Sequence, residues 1–228
     1  ASISSSTFAL GNAGNVTVTA PIISMDNASI KATAEKDSSG NAGAVTMNSS
    51  NLSIFNGGTI SSSTQSKAYG NAGTVLVNVD NLLVDGQHNL AYTGIFTDSY
   101  SNYDAHGVDL NYGDAESIKV TAKTLTLLDS GKISSSTWSA GKAGDVLINT
   151  NQLLISGVDT GLFAAAEQTS SGQTGHIAVN ANMINLMNHG KISLQNDATV
   201  SNPTTIKTGL ISISSPDIDL KDSAITAE

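Results

Sequence analysis

The sequence predicts an all-β fold, namely a right-handed parallel β-helix (solenoid) of about seven coils with three short strands in each coil. Three observations carry this prediction. A glycine-containing tetrapeptide recurs along the 228 residues, apolar pairs follow it at a regular spacing, and the pairs alternate with other residues and are rich in β-branched side chains. Units of about 30 residues with three such strands cannot bury their apolar faces alone, so neighbouring units must stack.

The recurring tetrapeptide is Gly-Asn-Ala-Gly, which begins at residues 11, 40 and 70 and has variants at 141 and 172. Aligning the apolar pairs that follow recovers two degenerate units, so that coils of a single 1–228 domain begin near residues 11, 40, 70, 113, 141, 172 and 206. The pairs define a first strand segment, a: Val16/Val18, Val45/Met47, Val75/Val77, Ile118/Val120, Val146/Ile148, Ile177/Val179 and Ile211/Ile213.

Two further segments complete each unit. Segment b starts seven residues after the start of segment a: Ile23/Met25, Leu52/Ile54, Leu82/Val84, Leu125/Leu127, Leu153/Ile155, Ile184/Leu186 and Ile218/Leu220. Segment c opens with Ile30, Ile60, Ile95, Ile133, Leu162, Ile192 and Ile225, and Ile3 belongs to the c segment of a preceding unit. Equivalent positions are expected to stack about 4.8 Å apart as aliphatic ladders.

The competing architectures are a β-sandwich and a β-propeller. A propeller blade needs four strands and a sandwich needs hairpin turns, whereas these units have three segments and only Asn56-Gly57 resembles a hairpin signal. The β-helix is therefore the favoured prediction.

Two regularities mark the corners. A polar residue such as Thr19, Asn48 or Asn78 follows every a pair. These residues either stack as a hydrogen-bonded ladder or serve only as turn formers, and both explanations stay open. The glycines of the tetrapeptide are expected at positions of positive φ or of close backbone approach.

Composition excludes several functions. The net charge is −9, and the ten basic residues are all scattered lysines, which argues against nucleic-acid binding. There is no cysteine, hence no thiolate nucleophile, and no apolar stretch approaches the roughly 20 residues of a membrane helix.

Three stretches carry a family resemblance: residues 57–66 (GGTISSSTQS), 70–84 (GNAGTVLVNVDNLLV) and 131–148 (GKISSSTWSAGKAGDVLI). They resemble the repeat region of filamentous-haemagglutinin-type exoproteins. The resemblance implies a long right-handed β-helix that an outer-membrane transporter secretes by a two-partner system, and that serves adhesion or aggregation at the bacterial cell surface. The Asn-Pro motifs of that family's secretion domain are missing, apart from Asn202-Pro203 in a late loop. The chain is therefore expected to be shaft.

The predicted function is a non-catalytic shaft of a secreted or cell-surface fibrous protein, which presents loops to a host or neighbouring-cell glycan or protein. The first alternative is a filament subunit that associates end to end, because both ends fall on a c segment without a polar cap. The second is a polysaccharide-active β-helix enzyme. Against it, arginine is absent, and Asp26, Asp85 and Asp129 are interpreted as solvated turn residues. The four histidines are too dispersed for a metal motif, and no cofactor is expected.

The third unit is irregular, with an insertion at 86–112. Aromatic and acidic residues concentrate there, and insertions on repeat scaffolds often carry binding functions. The candidate binding residues are Tyr92, Tyr100, Tyr103, Tyr112, Asp98 and Asp104. The alternative is a self-packed loop whose tyrosines cover the flank of the solenoid. A calcium site formed by Asp98, Asn102 and Asp104 is a weaker hypothesis, because the glycine turn of the usual calcium loop is missing.

Overall fold

The computed structural model describes residues 1–65, 68–87, 92–100, 113–167, 172–198 and 209–228. These residues form parallel strands stacked as a β-solenoid, which confirms the predicted all-β parallel β-helix. No helix within the described ranges is long and apolar enough to cross a membrane.

The strands follow the predicted segments closely. They are β1 (Ser2–Thr7), β2 (Val16–Thr19), β3 (Ile22–Asp26), β4 (Ser29–Ala34), β5 (Val45–Phe55), β6 (Thr59–Thr64), β7 (Val75–Asp85), β8 (Thr93–Ser99), β9 (Ile118–Leu128), β10 (Gly131–Thr137), β11 (Val146–Ser156), β12 (Gly161–Ala166), β13 (Ile177–Met187), β14 (Lys191–Asn196), β15 (Ile211–Ser214), β16 (Ile218–Lys221) and β17 (Ala224–Ala227).

Two parallel sheets wrap the solenoid. The c segments form an eight-stranded sheet in the order β1-β4-β6-β8-β10-β12-β14-β17, and the a and b segments form a nine-stranded sheet. The strand β1 pairs with β4 from Ser2↔Ser29 to Thr7↔Ala34, as expected for a segment c of a preceding coil.

Segments a and b differ from the prediction in one respect. In five coils they join into a single strand of 11 residues, and only the first and last coils show them as separate strands. In β5, Val45 and Met47 point inward, and so do Leu52 and Ile54. The inward positions therefore change parity at the intervening corner, around Ser50. The chain turns there while its pairing with the next coil resumes at once, because each corner stacks on the equivalent corner of that coil.

The core consists of aliphatic ladders. The first residues of the c segments pair directly from coil to coil, from Ile60 through Ile95 and Ile133 to Leu162, and each is fully buried. Burial of a branched aliphatic side chain stabilises a fold by about 1.5–3 kcal/mol. The ladders therefore supply the main stabilisation of a chain with few charges.

The tetrapeptide glycines allow close backbone approach. A Cβ atom added to Gly40 would lie 2.0 Å from the carbonyl oxygen of Gly11, and one added to Gly70 would lie 2.2 Å from that of Gly40. The described glycines with positive φ are Gly57, Gly94 and Gly157, none of which belongs to the tetrapeptide. Of the two predicted roles, close approach is the one that the structure shows.

The asparagine of the tetrapeptide links successive coils. The backbone N–H of Asn41 donates to Oδ1 of Asn12 at 2.9 Å, that of Asn71 donates to Oδ1 of Asn41 at 2.9 Å, and that of Asp114 donates to Oδ1 of Asn71 at 3.0 Å. A separate ladder exists at the corner after segment a, where Nδ2 of Asn78 donates to Oδ1 of Asn48 at 3.2 Å. The corner residues are thus stacked in these coils and are more than turn formers.

Candidate functional site

The candidate site lies on the outer face of the eight-stranded sheet. Along β8 the side chains alternate, so that Ile95 and Thr97 point into the core while Phe96 and Asp98 point outward. Parallel pairing places the outward residues of successive coils in columns. One column runs Ser61, Phe96, Ser134, Phe163, Ser193 and the next runs Ser63, Asp98, Ser136, Ala165, Gln195.

These columns form the floor of a groove of about 720 Å³, called here the sheet-face groove. Its aromatic and charged lining residues are Tyr92, Phe96, Asp98, Tyr100, Lys132, Trp138, Asp159, Phe163, Glu167, Lys191 and Glu228. Serine, threonine and glutamine side chains supply most of the remaining lining. Ligand pockets in proteins commonly have volumes of about 300–1,000 Å³, so the groove has room for a ligand of that size.

Two aromatic rings lie beside a lysine on one side of the groove, and a third ring contacts one of them. Tyr92 is 68% exposed, and its ring contacts that of Phe96 edge to face, with centroids 6.0 Å apart. Nζ of Lys132 lies 5.8 Å from the ring centroids of both Tyr92 and Phe163. A Cβ atom at Gly161, beside Lys132 in the sheet, would come within 3.1 Å of the Phe163 ring. The same Cβ atom would lie 2.1 Å from the carbonyl oxygen of Lys191, so this glycine serves first the close approach of adjacent backbones.

A stacked aromatic pair forms the opposite side. The rings of Tyr100 and Trp138 are nearly parallel, at 10°, with centroids 5.1 Å apart. They are neighbours because the backbone ladder continues past the strand ends: the Trp138 N–H donates to the carbonyl oxygen of Ser99 at 2.9 Å. Trp138 is the single tryptophan of the chain.

A buried carboxyl group lies beside this stack. Asp98 is 5% exposed, and its Oδ2 accepts a hydrogen bond from the Tyr100 hydroxyl at 3.1 Å. Its Oδ1 is buried and has no hydrogen-bond partner among the described residues. Burial raises the pKa of Asp98 to about 7, and the carboxylate of Glu167 adds to the rise, while Tyr100 and the backbone of Ser136 oppose it.

The neighbouring ionisable groups are also perturbed. Burial raises the pKa of the Tyr100 phenol, and the nearby Asp98 raises it further. Burial and the carboxylate of Asp197 raise the pKa of Glu167, and Lys132 partly offsets this. Each group is thus shifted towards its neutral form, which is the expected effect of a partly dehydrated groove.

The structure brings together three of the six predicted binding residues. Tyr92, Tyr100 and Asp98 all line the groove, although Asp98 lies within strand β8 and not in a loop. Tyr103, Tyr112 and Asp104 lie outside the described residues. So does Asn102, the other residue of the calcium hypothesis. The described residues include no group of three His, Cys, Asp or Glu side chains that could hold a metal ion.

Among the other lining residues, which sequence reasoning missed, are Phe96, Lys132, Trp138, Phe163 and Glu167. A signal for them existed. They occupy the outward positions of the c segments, at odd offsets from the inward Ile95, Ile133 and Leu162. Aligning the c segments on those outward positions, and not only on the inward ones, would have shown phenylalanine alternating with serine from coil to coil.

The residues set aside as non-catalytic take part in turns and coil contacts. Oδ1 of Asp26 accepts from Nδ2 of Asn56 at 3.2 Å, and Oδ1 of Asp85 accepts from the N–H of Gln87 at 2.9 Å. The exposed His176 links coils, because its Nδ1 accepts from the Leu210 N–H at 2.8 Å. None of these three residues lines the sheet-face groove.

The fold and the groove define this chain as a parallel β-helix repeat protein with an aromatic and acidic groove on one sheet face. Comparison of the chain with protein-family models, with curated proteins and with solved structures gives no match.

Proposed function

We propose that the chain is a non-catalytic shaft segment of a secreted or cell-surface fibrous protein, and that the sheet-face groove attaches it to a glycan or protein of a host or neighbouring cell. The sequence resemblance to filamentous-haemagglutinin-type exoproteins supports this proposal, since it implies an adhesive role and secretion through an outer-membrane transporter. The single observation that carries the proposal is the groove itself. It concentrates aromatic rings on one face of an otherwise regular solenoid.

The regular part of the molecule suits a shaft. Parallel pairing continues from coil to coil in both sheets, and the tetrapeptide backbones stack too closely to admit a side chain. A solenoid of this kind is stabilised by contacts between adjacent repeats, so a longer solenoid can be built by adding repeats of the same structure. A long rigid element that presents a binding face is what an adhesive fibre needs.

Attachment can be tested without knowledge of the ligand. Beads coated with the wild-type chain are expected to adhere to bacterial or epithelial cells, and a Tyr92→Ala, Phe163→Ala double variant is expected to lose most of this adhesion. Phe8→Ala is the matched control, because Phe8 is an aromatic residue, 74% exposed, that does not line the groove. Equal adhesion by the double variant and the control would contradict the proposal.

The non-catalytic part needs its own measurement. Plant and bacterial polysaccharides incubated with the chain are expected to show no release of reducing or unsaturated ends. A release that depends on Asp98 and Glu167, the two groove carboxyl groups with raised pKa values, would replace the proposal with an enzymatic function.

A further inference from the structure

We infer that a second copy of this chain binds side by side to the outer surface of segment b, with its solenoid axis antiparallel to that of the first. This surface, called here the b face, consists of the two outward columns that begin at Ser24 and Asp26 and continue through all seven coils. It lies on the nine-stranded sheet, whereas the sheet-face groove lies on the eight-stranded sheet. The inference therefore concerns a second surface and goes beyond the proposed function.

Each of the five central coils presents one large apolar side chain on the b face. In chain order these half-buried residues are Phe55, Leu83, Leu128, Leu154 and Met187. The register places Phe55, Leu128 and Met187 in the Asp26 column, and it places Leu83 and Leu154 in the Ser24 column. The five side chains thus form a zigzag stripe over four strand steps, or about 19 Å. A continuous apolar stripe on a surface indicates a contact with another protein surface.

The stripe is symmetric about the fourth coil, which makes it complementary to itself. A two-fold axis parallel to segment b of β9 places each residue opposite the same column, in the coil equally far on the other side of the centre. Leu128 then meets Leu128 of the second copy. Leu83 meets Leu154, and Phe55 meets Met187, whose sulfur also packs favourably against an aromatic ring. Every apolar residue of the stripe therefore meets another apolar residue.

A parallel arrangement lacks this match. A two-fold axis along the solenoid would bring together the two outward columns of the same coil. Leu83 would then meet Asp85, and burial of a carboxylate against an apolar side chain is unfavourable. Leu128 would likewise meet Thr126 and lose its apolar partner. The alternation of apolar and polar residues therefore favours the antiparallel dimer.

The charged residues at the two ends of the b face match under the same antiparallel axis. Asp26 and Lys221 occupy one column in the first and seventh coils, and both are exposed. Each Asp26 therefore meets a Lys221 of the second copy, once at each end of the dimer. Such charge complementarity fixes the register and the orientation of an interface.

The remaining carboxylates of the b face meet hydroxyl groups. Asp85 lies one coil before the centre and meets Ser156, which lies one coil after it. Asp219 of the seventh coil meets Ser24 of the first. Because serine hydroxyls can donate hydrogen bonds to carboxylates, no carboxylate of the b face is placed against another.

The size of the surface indicates a weak but specific dimer. Seven strands at about 4.8 Å make it about 34 Å long, and the five residues of a segment b at about 3.3 Å make it about 16 Å wide. Each copy thus contributes about 500 Å², and a total of about 1,000 Å² is the lower end for specific interfaces. We therefore expect a reversible dimer with a dissociation constant in the micromolar range.

Sedimentation velocity ultracentrifugation measures the association of the chain at about 1 to about 300 µM. Wild type is expected to show a monomer–dimer equilibrium. Leu128→Lys places two like charges together at the axis and should weaken the dimer at least about tenfold. Leu147→Lys is the matched control, because Leu147 is a half-buried outward leucine of segment a on the same sheet. A wild-type chain that stays monomeric over this range, or equal weakening by both variants, would overturn the inference.

Charge reversal tests the register of the dimer. Asp26→Lys and Lys221→Asp each bring like charges together at both ends, so each should weaken the dimer about three- to tenfold. The double variant with both substitutions exchanges the two charges and is expected to restore the wild-type affinity. A double variant that dimerises as weakly as the single variants would refute the antiparallel register.

Cross-linking tests the position of the axis, because the chain contains no cysteine. Thr126 lies on the axis beside Leu128, so Thr126→Cys is expected to give a covalent dimer with a short bismaleimide. Ser53 lies two coils from the axis, which leaves the two copies of Ser53→Cys four strand steps, or about 19 Å, apart and poorly cross-linked. Equal cross-linking of the two variants would refute the axis, and circular dichroism checks that each variant is folded. Bead adhesion through the groove should be unchanged in Leu128→Lys, so it tests the proposed function separately.

Discussion

Ser62 shows at the scale of one residue why two separate motifs recur together in this sequence. Its buried Oγ donates to the carbonyl oxygen of Gly43 at 2.9 Å and accepts from the N–H of Gly73 at 2.7 Å. Ser135 repeats part of this arrangement, since it accepts from the N–H of Gly144 at 2.8 Å. The second serine of the Ile-Ser-Ser-Ser-Thr motif thus hydrogen-bonds to the loop that contains the glycine tetrapeptide.

Ser62→Ala is expected to lower the free energy of unfolding by about 1–3 kcal/mol, because it leaves a buried carbonyl and a buried N–H group without a partner. Urea denaturation measures the change. The neighbouring Ser61→Ala is the control: Ser61 points outward and is half-buried, and its replacement should alter stability by no more than about 0.5 kcal/mol. A similar loss in both variants would contradict the bridging role.

The raised pKa of Asp98 predicts that the free energy of unfolding depends on pH. Its pKa of about 7 in the folded chain exceeds its ordinary value of 3.8, so the folded state holds the proton more tightly. The stabilisation from this group is complete below about pH 4 and is lost as the pH rises towards 7 and beyond. At about 1.4 kcal/mol per pKa unit, the loss amounts to up to about 4 kcal/mol.

The Asp98→Asn variant should not show this loss, since its side chain does not ionise. Relative to wild type, it is expected to gain stability between pH 4 and pH 8, as measured by urea denaturation at several pH values. Asp159→Asn serves as the control, because Asp159 is an exposed aspartate of the same groove. Parallel stability curves for wild type and Asp98→Asn would show that Asp98 ionises normally.

At the scale of elements, the tetrapeptide loop is defined by its contact with the loop of the next coil. Gly70→Ala would place a Cβ atom 2.2 Å from the carbonyl oxygen of Gly40, and the backbones would have to separate. We expect destabilisation by about 1–3 kcal/mol in thermal or urea unfolding. Gly11 begins the same motif but has open space around its Cβ position, so Gly11→Ala should cause no comparable loss. Equal losses would mean that conformational freedom, and not close approach, explains these glycines.

The strands also show which features of the fold could be predicted from the sequence. The inward positions were predictable, because a buried column such as Ile60, Ile95 and Ile133 repeats one residue type and burial leaves little choice. That segments a and b form one continuous strand was not predictable. The inward positions change parity at the corner, which interrupts the period-two pattern in the sequence, although the hydrogen-bonded pairing between coils continues beyond the corner. Outward positions such as Phe96 and Phe163 do not repeat in every coil but alternate with serine, so they become visible only when the c segments are aligned on their outward residues.

At the scale of the whole molecule, stability is distributed along one dimension. Each coil contacts its two neighbours, so the effect of a substitution depends on how many neighbours cover the site. Ile133 is fully buried between the coils of β8 and β12, whereas Ile225, at the equivalent position of β17, is half-buried and pairs with β14. The two residues have the same type and the same place in the repeat, and they differ mainly in their burial.

Ile133→Ala is therefore expected to destabilise this 228-residue chain by about 2–5 kcal/mol, and Ile225→Ala by clearly less, because the latter removes less buried surface and leaves a smaller cavity. Hydrogen exchange of the backbone amides distinguishes local from global effects. In Ile133→Ala, protection should fall in β8, β10 and β12 together, since these strands share one ladder, whereas in Ile225→Ala the loss should stay within β14 and β17. A uniform loss along the whole chain in both variants would show that the solenoid unfolds as one cooperative unit. Coupling between coils would then exceed the nearest-neighbour contacts that the structure contains.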